Sequence, residues 1–306
     1  MKAVIYTQYG APEVLQQVEL PTPQPAPNEI LVKVHASTVA AGDTRLRASR
    51  FPLLAWLPAR IIFGLFKPKK QILGHEWSGT VVKKGKENSL FELGDEVFGT
   101  TTLLKGGAYA EFVSIPESWK YGVVGQKPAN LSFQEAAALP IGGMAALFLL
   151  EKAQITTGKQ VLIYGASGSV GSFAVQIAKY FGAEVTAVCS TRNVDLMQAL
   201  GADHVVNYKT QDYTSLAKKF DIVFDAVGKT TRSKAKQILK PKGKYVSVNM
   251  MTQEKETHLQ TLKQMAEEGH LKPLIDRCYR LDQIVEAHQY VDQGRKRGNV
   301  VIKIET

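Results

Sequence analysis

Gln160-Val-Leu-Ile-Tyr164, followed at once by Gly165-Ala-Ser-Gly-Ser-Val-Gly171, decides the fold of this 306-residue chain. The first five residues are a short apolar run that reads as a buried strand, and residues 169–181 read as a helix. Glycine stands where a Cβ would keep the backbone from touching a pyrophosphate. The helix start behind it presents unpaired N–H groups and a positive dipole end to phosphate oxygens. A glycine pattern alone is weak and could serve tight packing only. A strand before it, a helix after it and a further strand at the right distance make it strong. Ala166 replaces the first glycine of the usual triplet, a change small enough to keep the turn. Gly165, Ser167, Gly168, Ser169, Val170 and Gly171 are the expected pyrophosphate-binding residues.

Working outward, strand-like and helical runs alternate. Residues 184–189, 203–206, 221–225 and 243–248 read as short apolar strands, with a helix over 192–200. Such alternation implies crossover units and a parallel sheet with helices on both faces. Upstream, Ser132 with Glu135 three residues later forms a capping box that opens an alanine- and leucine-rich helical stretch to residue 153. The first 125 residues read differently, as an all-β module: short β-branched runs at 30–34, 79–82 and 96–98 alternate with Gly, Pro and Asn. After residue 272 come an extended stretch, a helix over 281–293 and a strand over 299–304. The expected organisation is a parallel-sheet, dinucleotide-binding domain over 126–271, flanked by a second domain made of 1–125 and 272–306.

Composition narrows the function classes. Hydrophobic residues at 44% and charged residues at 22% are those of a globular chain, so disorder and a membrane bundle are excluded. Cys189 and Cys278 are the only cysteines, too few for a disulfide framework or a four-cysteine zinc lobe. Their scarcity fits a reduced, cytoplasmic protein. The net charge of 38 − 28 = +10 invites an anionic partner. Its lysines are spread along the chain, however, without the interleaved aromatics of single-strand binders, so no nucleic acid is expected. Residues 51–66 are strongly apolar, but Pro52, Pro58 and Arg60 interrupt them and they fall short of the ~20 residues of a membrane span. A flap over a substrate site, a packed helix and a membrane-touching surface all remain open for them.

Cofactor choice is read at the end of the second strand. An acid there would hold the ribose hydroxyls of NADH. This chain has Cys189-Ser190-Thr191-Arg192 instead, and Ser190 and Arg192 suit the 2′-phosphate of NADPH. The plainer alternative makes Ser190 or Thr191 a helix cap and leaves Arg192 solvated.

The phosphate turn, Gly74-His75-Glu76 with Gly79, Gly94-Asp95-Glu96-Val97-Phe98-Gly99 and Ala138-Leu139-Pro140 occur in one order along nearly the whole chain. Together they resemble the medium-chain dehydrogenase/reductase superfamily, and most closely its zinc-free branch of quinone oxidoreductases and enone reductases. The resemblance implies a GroES-like β-barrel domain built from both chain ends, a Rossmann-type cofactor domain, NADPH as cofactor and a homodimer. Zinc-dependent relatives ligate the metal with the histidine of Gly-His-Glu and two cysteines. Here His75 stands, but Thr38-Val-Ala-Ala-Gly-Asp-Thr44 and Pro140-Ile-Gly-Gly-Met144 hold no thiol, and a lone histidine cannot keep a catalytic zinc. His75 is expected to make a structural hydrogen bond, or else to sit at the mouth of the site.

Loss of the metal restricts the chemistry. An alkoxide needs zinc or a strong proton donor, whereas a quinone or an enone spreads the incoming charge over a conjugated system. The Tyr-x-x-x-Lys pair of short-chain reductases is also missing, since none of the eleven tyrosines has a lysine four residues on. The resemblance further places Tyr208 beside the 2′-phosphate, Val227 in the Asp225-Ala-Val-Gly228 turn on the adenosine side, and Asn299 in the segment that folds toward the nicotinamide. Tyr208 as a surface aromatic and Asn299 as a turn residue are the plainer alternatives. Ala40 replaces an asparagine many relatives carry. Asp43 and Arg47 match, with Thr44 between them; Asp43 and Thr44 are weak catalytic candidates, and an Asp43–Arg47 ion pair that only stiffens the loop is the alternative. After Val248 the family's further strand looks missing.

The expectation is a zinc-independent, NADPH-dependent reductase of small-molecule quinones or enones. The alternatives are an NADPH-binding regulatory or RNA-binding protein and a zinc-dependent alcohol dehydrogenase.

Overall fold

The computed structural model describes residues 1–87, 90–101 and 105–304. Its contacts divide the chain into two compact units. The first holds Met1–Pro140, Lys255–Lys263 and Ile275–Thr306, the second Ile141–Glu254 and Gln264–Leu274.

The first unit is largely β. Strands β1 (Lys2–Tyr6) and β2 (Leu15–Glu19) form an antiparallel pair. β3 (Glu29–Thr38), β4 (Glu76–Lys84), β5 (Glu96–Thr100), β6 (Phe112–Pro116) and β7 (Val124–Gln126) build a larger sheet around β3. The chain end returns to it. β13 (Ile275–Arg280) lies parallel to β14 (Asn299–Lys303), and Val301, Ile302 and Lys303 face Thr38, Ser37 and Ala36 of β3. Both chain ends therefore build one sheet.

Among the described residues helices α1 (Ala41–Arg47) and α2 (Leu53–Phe63) lie within the first 125 positions, which are therefore not all β. The apolar run 51–66 thus contains a helix, but not a packed one: most of its large side chains face water. Helix α3 (Phe133–Ala138) starts at the expected box, with the Glu135 N–H donating to Ser132 Oγ at 3.2 Å and the Ser132 N–H to Glu135 Oε2 at 3.0 Å. Its Ala137 and Ala138 pack on Ala36 and Val301, which small side chains allow at close range. The helical stretch breaks at Leu139 before α4 (Pro140–Lys152), since proline cannot donate an N–H to the preceding turn.

The second unit carries five parallel strands among the described residues: β8 (Gln160–Tyr164), β9 (Glu184–Cys189), β10 (His204–Asn207), β11 (Phe220–Asp225) and β12 (Leu239–Ser247). Their spatial order is β10-β9-β8-β11-β12. Val161, Leu162 and Ile163 are all fully buried, as a strand covered on both faces requires. Helices α5 (Ser169–Tyr180), α6 (Val194–Ala199) and α7 (Arg232–Ile238) connect the strands. After β12 the next element is a helix, α8 (Glu256–Glu267), so the sheet closes at β12. The remaining helix, α9 (Ile284–Asp292), packs in the first unit.

Candidate functional site

Strand order reverses beside β8. Tyr164 pairs with Val188 of β9 on one side and Asp225 of β11 on the other, and the chain leaves the sheet there through the glycine turn. In open α/β sheets, ligands bind at this kind of switch point, outside the carboxyl ends of the strands.

Two glycines of the turn answer steric needs. Gly165 has φ +77°, and a Cβ on it would lie 2.6 Å from Val227 Cγ1. A Cβ on Gly171 would lie 2.3 Å from the Gly165 carbonyl oxygen, so α5 packs directly on the turn. Gly168 is different. A Cβ there would meet only the Gly165 oxygen at 3.5 Å, so the space above it is open to a ligand. Gly168 caps α5 without any side-chain hydrogen bond, leaving the N–H groups of Ser169, Val170 and Gly171 for an anion. A cradle free of side chains, with helix N–H groups facing it, fits the pyrophosphate of a dinucleotide.

The rim of this cradle is tied by a residue the sequence did not single out. Asn193 is buried, and its Nδ2 donates to Ser167 Oγ at 2.8 Å and to Ser190 Oγ at 3.3 Å. It thereby joins the phosphate turn to the end of β9, while its own Oδ1 has no hydrogen-bond partner. Arg192 precedes it on a short 3-10 turn and is exposed. The Tyr208 N–H donates to the Cys189 carbonyl at 3.0 Å, which sets Tyr208 beside the same strand end. Its ring lies 6.5 Å from that of Tyr164, and the Lys209 ammonium sits 5.5 Å from its centroid. Cys189 is buried, and burial pushes its thiol up to about 11, so no anion stands where an acid would select NADH.

Asp225 is the second residue whose role was not foreseen. Its Oδ1 accepts the N–H groups of Val227 at 3.1 Å and Gly228 at 2.9 Å, and its Oδ2 that of Thr230 at 3.0 Å. One carboxylate thus shapes the turn that presses Val227 onto Gly165. The signal was available, since an aspartate closing a strand before Ala-Val-Gly is a turn-builder.

In the first unit, Asp43 is fully buried and accepts the Ala40 N–H at 2.9 Å and the Gly74 N–H at 3.0 Å. His75 Nδ1 lies 2.6 Å from the same carboxylate. Burial alone would raise the Asp43 carboxyl, but the facing imidazole holds it below the ordinary carboxylate range. The Asp43–Arg47 pair does not form. Arg47, also fully buried, pairs with Asp292 of α9 at 2.6 Å, because α1 turns its last residues toward that helix. The Thr44 hydroxyl donates to the Ala41 carbonyl at 3.3 Å. Asn299 is buried at the start of β14. Among the described residues no three His, Cys, Asp or Glu side chains converge on a metal position. An open cavity of about 530 Å³ lined by Ile5, Glu29, Lys70, Lys105 and Phe112 contains none of the candidate site residues.

Residues 26–157 match the family model for the alcohol dehydrogenase GroES-like domain, and residues 169–275 that for zinc-binding dehydrogenase. The chain is 34% identical over 323 residues to the 2-methylene-furan-3-one reductase of Solanum lycopersicum, spanning 99% of this chain and 79% of that protein. It is 28% identical to the chloroplastic NADPH-dependent alkenal/one oxidoreductase of Arabidopsis thaliana, again over 99% and 79%. The quinone oxidoreductase from Coxiella burnetii superposes with a TM-score of 0.84 at 29% identity, covering 100% of this chain and 99% of that one. With its GroES-like and Rossmann-type parts and these relatives, the chain belongs to the quinone oxidoreductase-like branch of the medium-chain dehydrogenase/reductase superfamily.

Proposed function

We propose that this oxidoreductase uses NADPH to reduce quinones or the activated double bond of enones, and that it does so without a metal. The observation that carries the proposal is the open cradle at Gly168 with Ser167, Asn193 and Ser190 linked along its rim. The free N–H groups of Ser169, Val170 and Gly171 hold the pyrophosphate. Ser190, Arg192 and Tyr208 receive the 2′-phosphate, with Lys209 adding charge beside Tyr208. Val227 would border the adenosine side. When bound, the nicotinamide supplies a hydride.

Asp43 acts as a positioning residue rather than an acid. As a buried carboxylate holding two backbone N–H groups, it has no proton to give, and it fixes the Gly74-His75 turn. Thr44 keeps to the same scaffold. A conjugated acceptor suits such a chain, because its charge is spread and water suffices to protonate it. Kinship with reductases of enones and quinones supports this class of substrate. The resemblance also motivates a homodimer, and the scarcity of cysteine a cytoplasmic location, which sedimentation and cell fractionation would check. The direct test of function is NADPH consumption by the purified protein with a panel of quinones and enones in chelator-treated buffer. Turnover of simple aldehydes that needs added zinc would contradict the proposal.

A further inference from the structure

The geometry points to a peripheral membrane-docking surface on α2 and the loop that follows, recognising anionic lipid. Leu53 and Phe66 are 91% and 88% exposed, and Trp56, Leu57, Ile61, Ile62 and Leu65 are exposed with them. Positions 53, 56, 57 and 61 follow helical spacing, so one apolar face of α2 is turned outward. Scattered exposed apolar residues mean nothing, but seven within 14 positions form a patch that water disfavours.

The patch is built rather than frayed. Phe63 stacks on Phe51 with centroids 5.9 Å apart and planes at 4°. The Arg60 guanidinium lies 4.0 Å from the Tyr9 ring centroid and also donates to Ser49. The Tyr9 hydroxyl donates to the Gly64 carbonyl at 2.9 Å, and Lys69 Nζ to the Ile61 carbonyl at 2.8 Å. These contacts hold the inner face of the helix and leave its apolar side to the outside.

Charge selects the occupant. From residue 44 to residue 75 there is no aspartate or glutamate, while Arg45, Lys67, Lys69 and Lys70 are exposed; Arg50, exposed as well, lies 3.9 Å from Asp292 of α9. A second copy of this chain would bring the same cations against one another. An anionic bilayer neutralises them while its acyl boundary receives Leu53, Trp56 and Phe66. No helix among the described residues is long and apolar enough to cross a membrane, so the segment lies on the surface. Docking of this kind does not depend on the reaction proposed above.

The test is sedimentation of the full chain with vesicles of phosphatidylcholine alone or mixed with phosphatidylglycerol, alongside Trp56 emission. Binding is expected only to the anionic vesicles, with a blue shift of Trp56 and weakening by salt. The double variant Lys67→Gln/Lys70→Gln should bind about thirty-fold more weakly. Leu53→Ser/Phe66→Ser should bind at least about ten-fold more weakly. Both pairs project into water, so melting temperature and NADPH affinity should stay unchanged. Absence of binding to anionic vesicles overturns the inference, and so does binding that neither variant weakens. A wild-type dimer that Leu53→Ser/Phe66→Ser dissociates, without vesicle binding by either protein, assigns the patch to a second copy and overturns it too.

Discussion

The Asn193 side chain donates to Ser167 in the phosphate turn at 2.8 Å from a buried position, and reaches Ser190 at the end of β9 with the same nitrogen. This one amide couples the part of the site that would hold the pyrophosphate to the part that would hold the 2′-phosphate. Asn193→Ala should remove both bonds and leave the two hydroxyls to find water. The expected loss is about 1–2 kcal/mol of stability and about ten-fold in NADPH affinity. Denaturant melts and fluorescence titration check the two numbers separately, and an unchanged NADPH affinity would detach Asn193 from the site.

Arg192→Ala should act on one cofactor only. A charge-assisted bond to phosphate contributes roughly 1.5–3 kcal/mol, so NADPH binding should weaken about ten- to hundred-fold while NADH binding hardly moves. Dissociation constants for both cofactors read this directly. Equal losses for the two would place Arg192 away from the 2′-phosphate.

Gly171→Ala sets a Cβ 2.3 Å from the Gly165 carbonyl oxygen, and neither backbone segment can yield as a flexible side chain would. Overpacking of this kind costs roughly 1–3 kcal/mol, and the turn should shift with it. Loss of both thermal stability and NADPH binding is expected. Gly168→Ala meets only ordinary contact in the protein, so it should spare stability and weaken NADPH alone.

His288 gives stability a pH dependence. Its Nε2 faces the Tyr109 hydroxyl at 3.3 Å, and that hydroxyl donates to the Thr38 carbonyl at 3.1 Å, so the imidazole supplies the proton between them. Burial pushes its value down from 6.5 to about 4, against the pull of Asp43. The folded protein therefore stays unprotonated at this site where the unfolded chain takes up a proton. Stability is full above about pH 6.5 and falls, by about 3 kcal/mol in all, as pH drops toward 4. Asp43 acts in the same direction at lower pH, because its depressed carboxyl must be protonated as the fold is lost. Melting curves of wild type and His288→Gln across this range should diverge most near neutrality and converge toward pH 4.

Asp43→Asn should destabilise by roughly 3 kcal/mol, since it leaves a buried partner unmatched. In double-mutant cycles Asp43 should couple more strongly to His75, 2.6 Å away, than to Arg47, which pairs with Asp292. The reverse ranking would restore the ion pair that the spacing of Asp43 and Arg47 on one short helix suggests.

The phosphate turn and the alternation around it were legible because glycine, strand and helix must coincide there for steric reasons. The return of the chain to the first sheet was legible too, from the change of texture after residue 272. What stayed hidden were choices of partner. Asp43 and Arg47 stand four residues apart in the sequence, and only the fold shows that Arg47 meets Asp292 of α9 while Asp43 meets the distant His75. Asn193 reads as an ordinary residue after a strand, and its bridge exists only once the ends of β8 and β9 are side by side. What the apolar run 51–66 faces stayed hidden as well, because its period says which residues share a face but not what that face meets.

The measurement that bears most directly on the central claim is NADPH oxidation by the purified chain, with quinones and enones as acceptors, with and without a strong chelator. Steady consumption that requires the acceptor and is indifferent to the chelator is the predicted result. Tight NADPH binding with no turnover of any acceptor, or activity that the chelator abolishes and zinc restores, would contradict it.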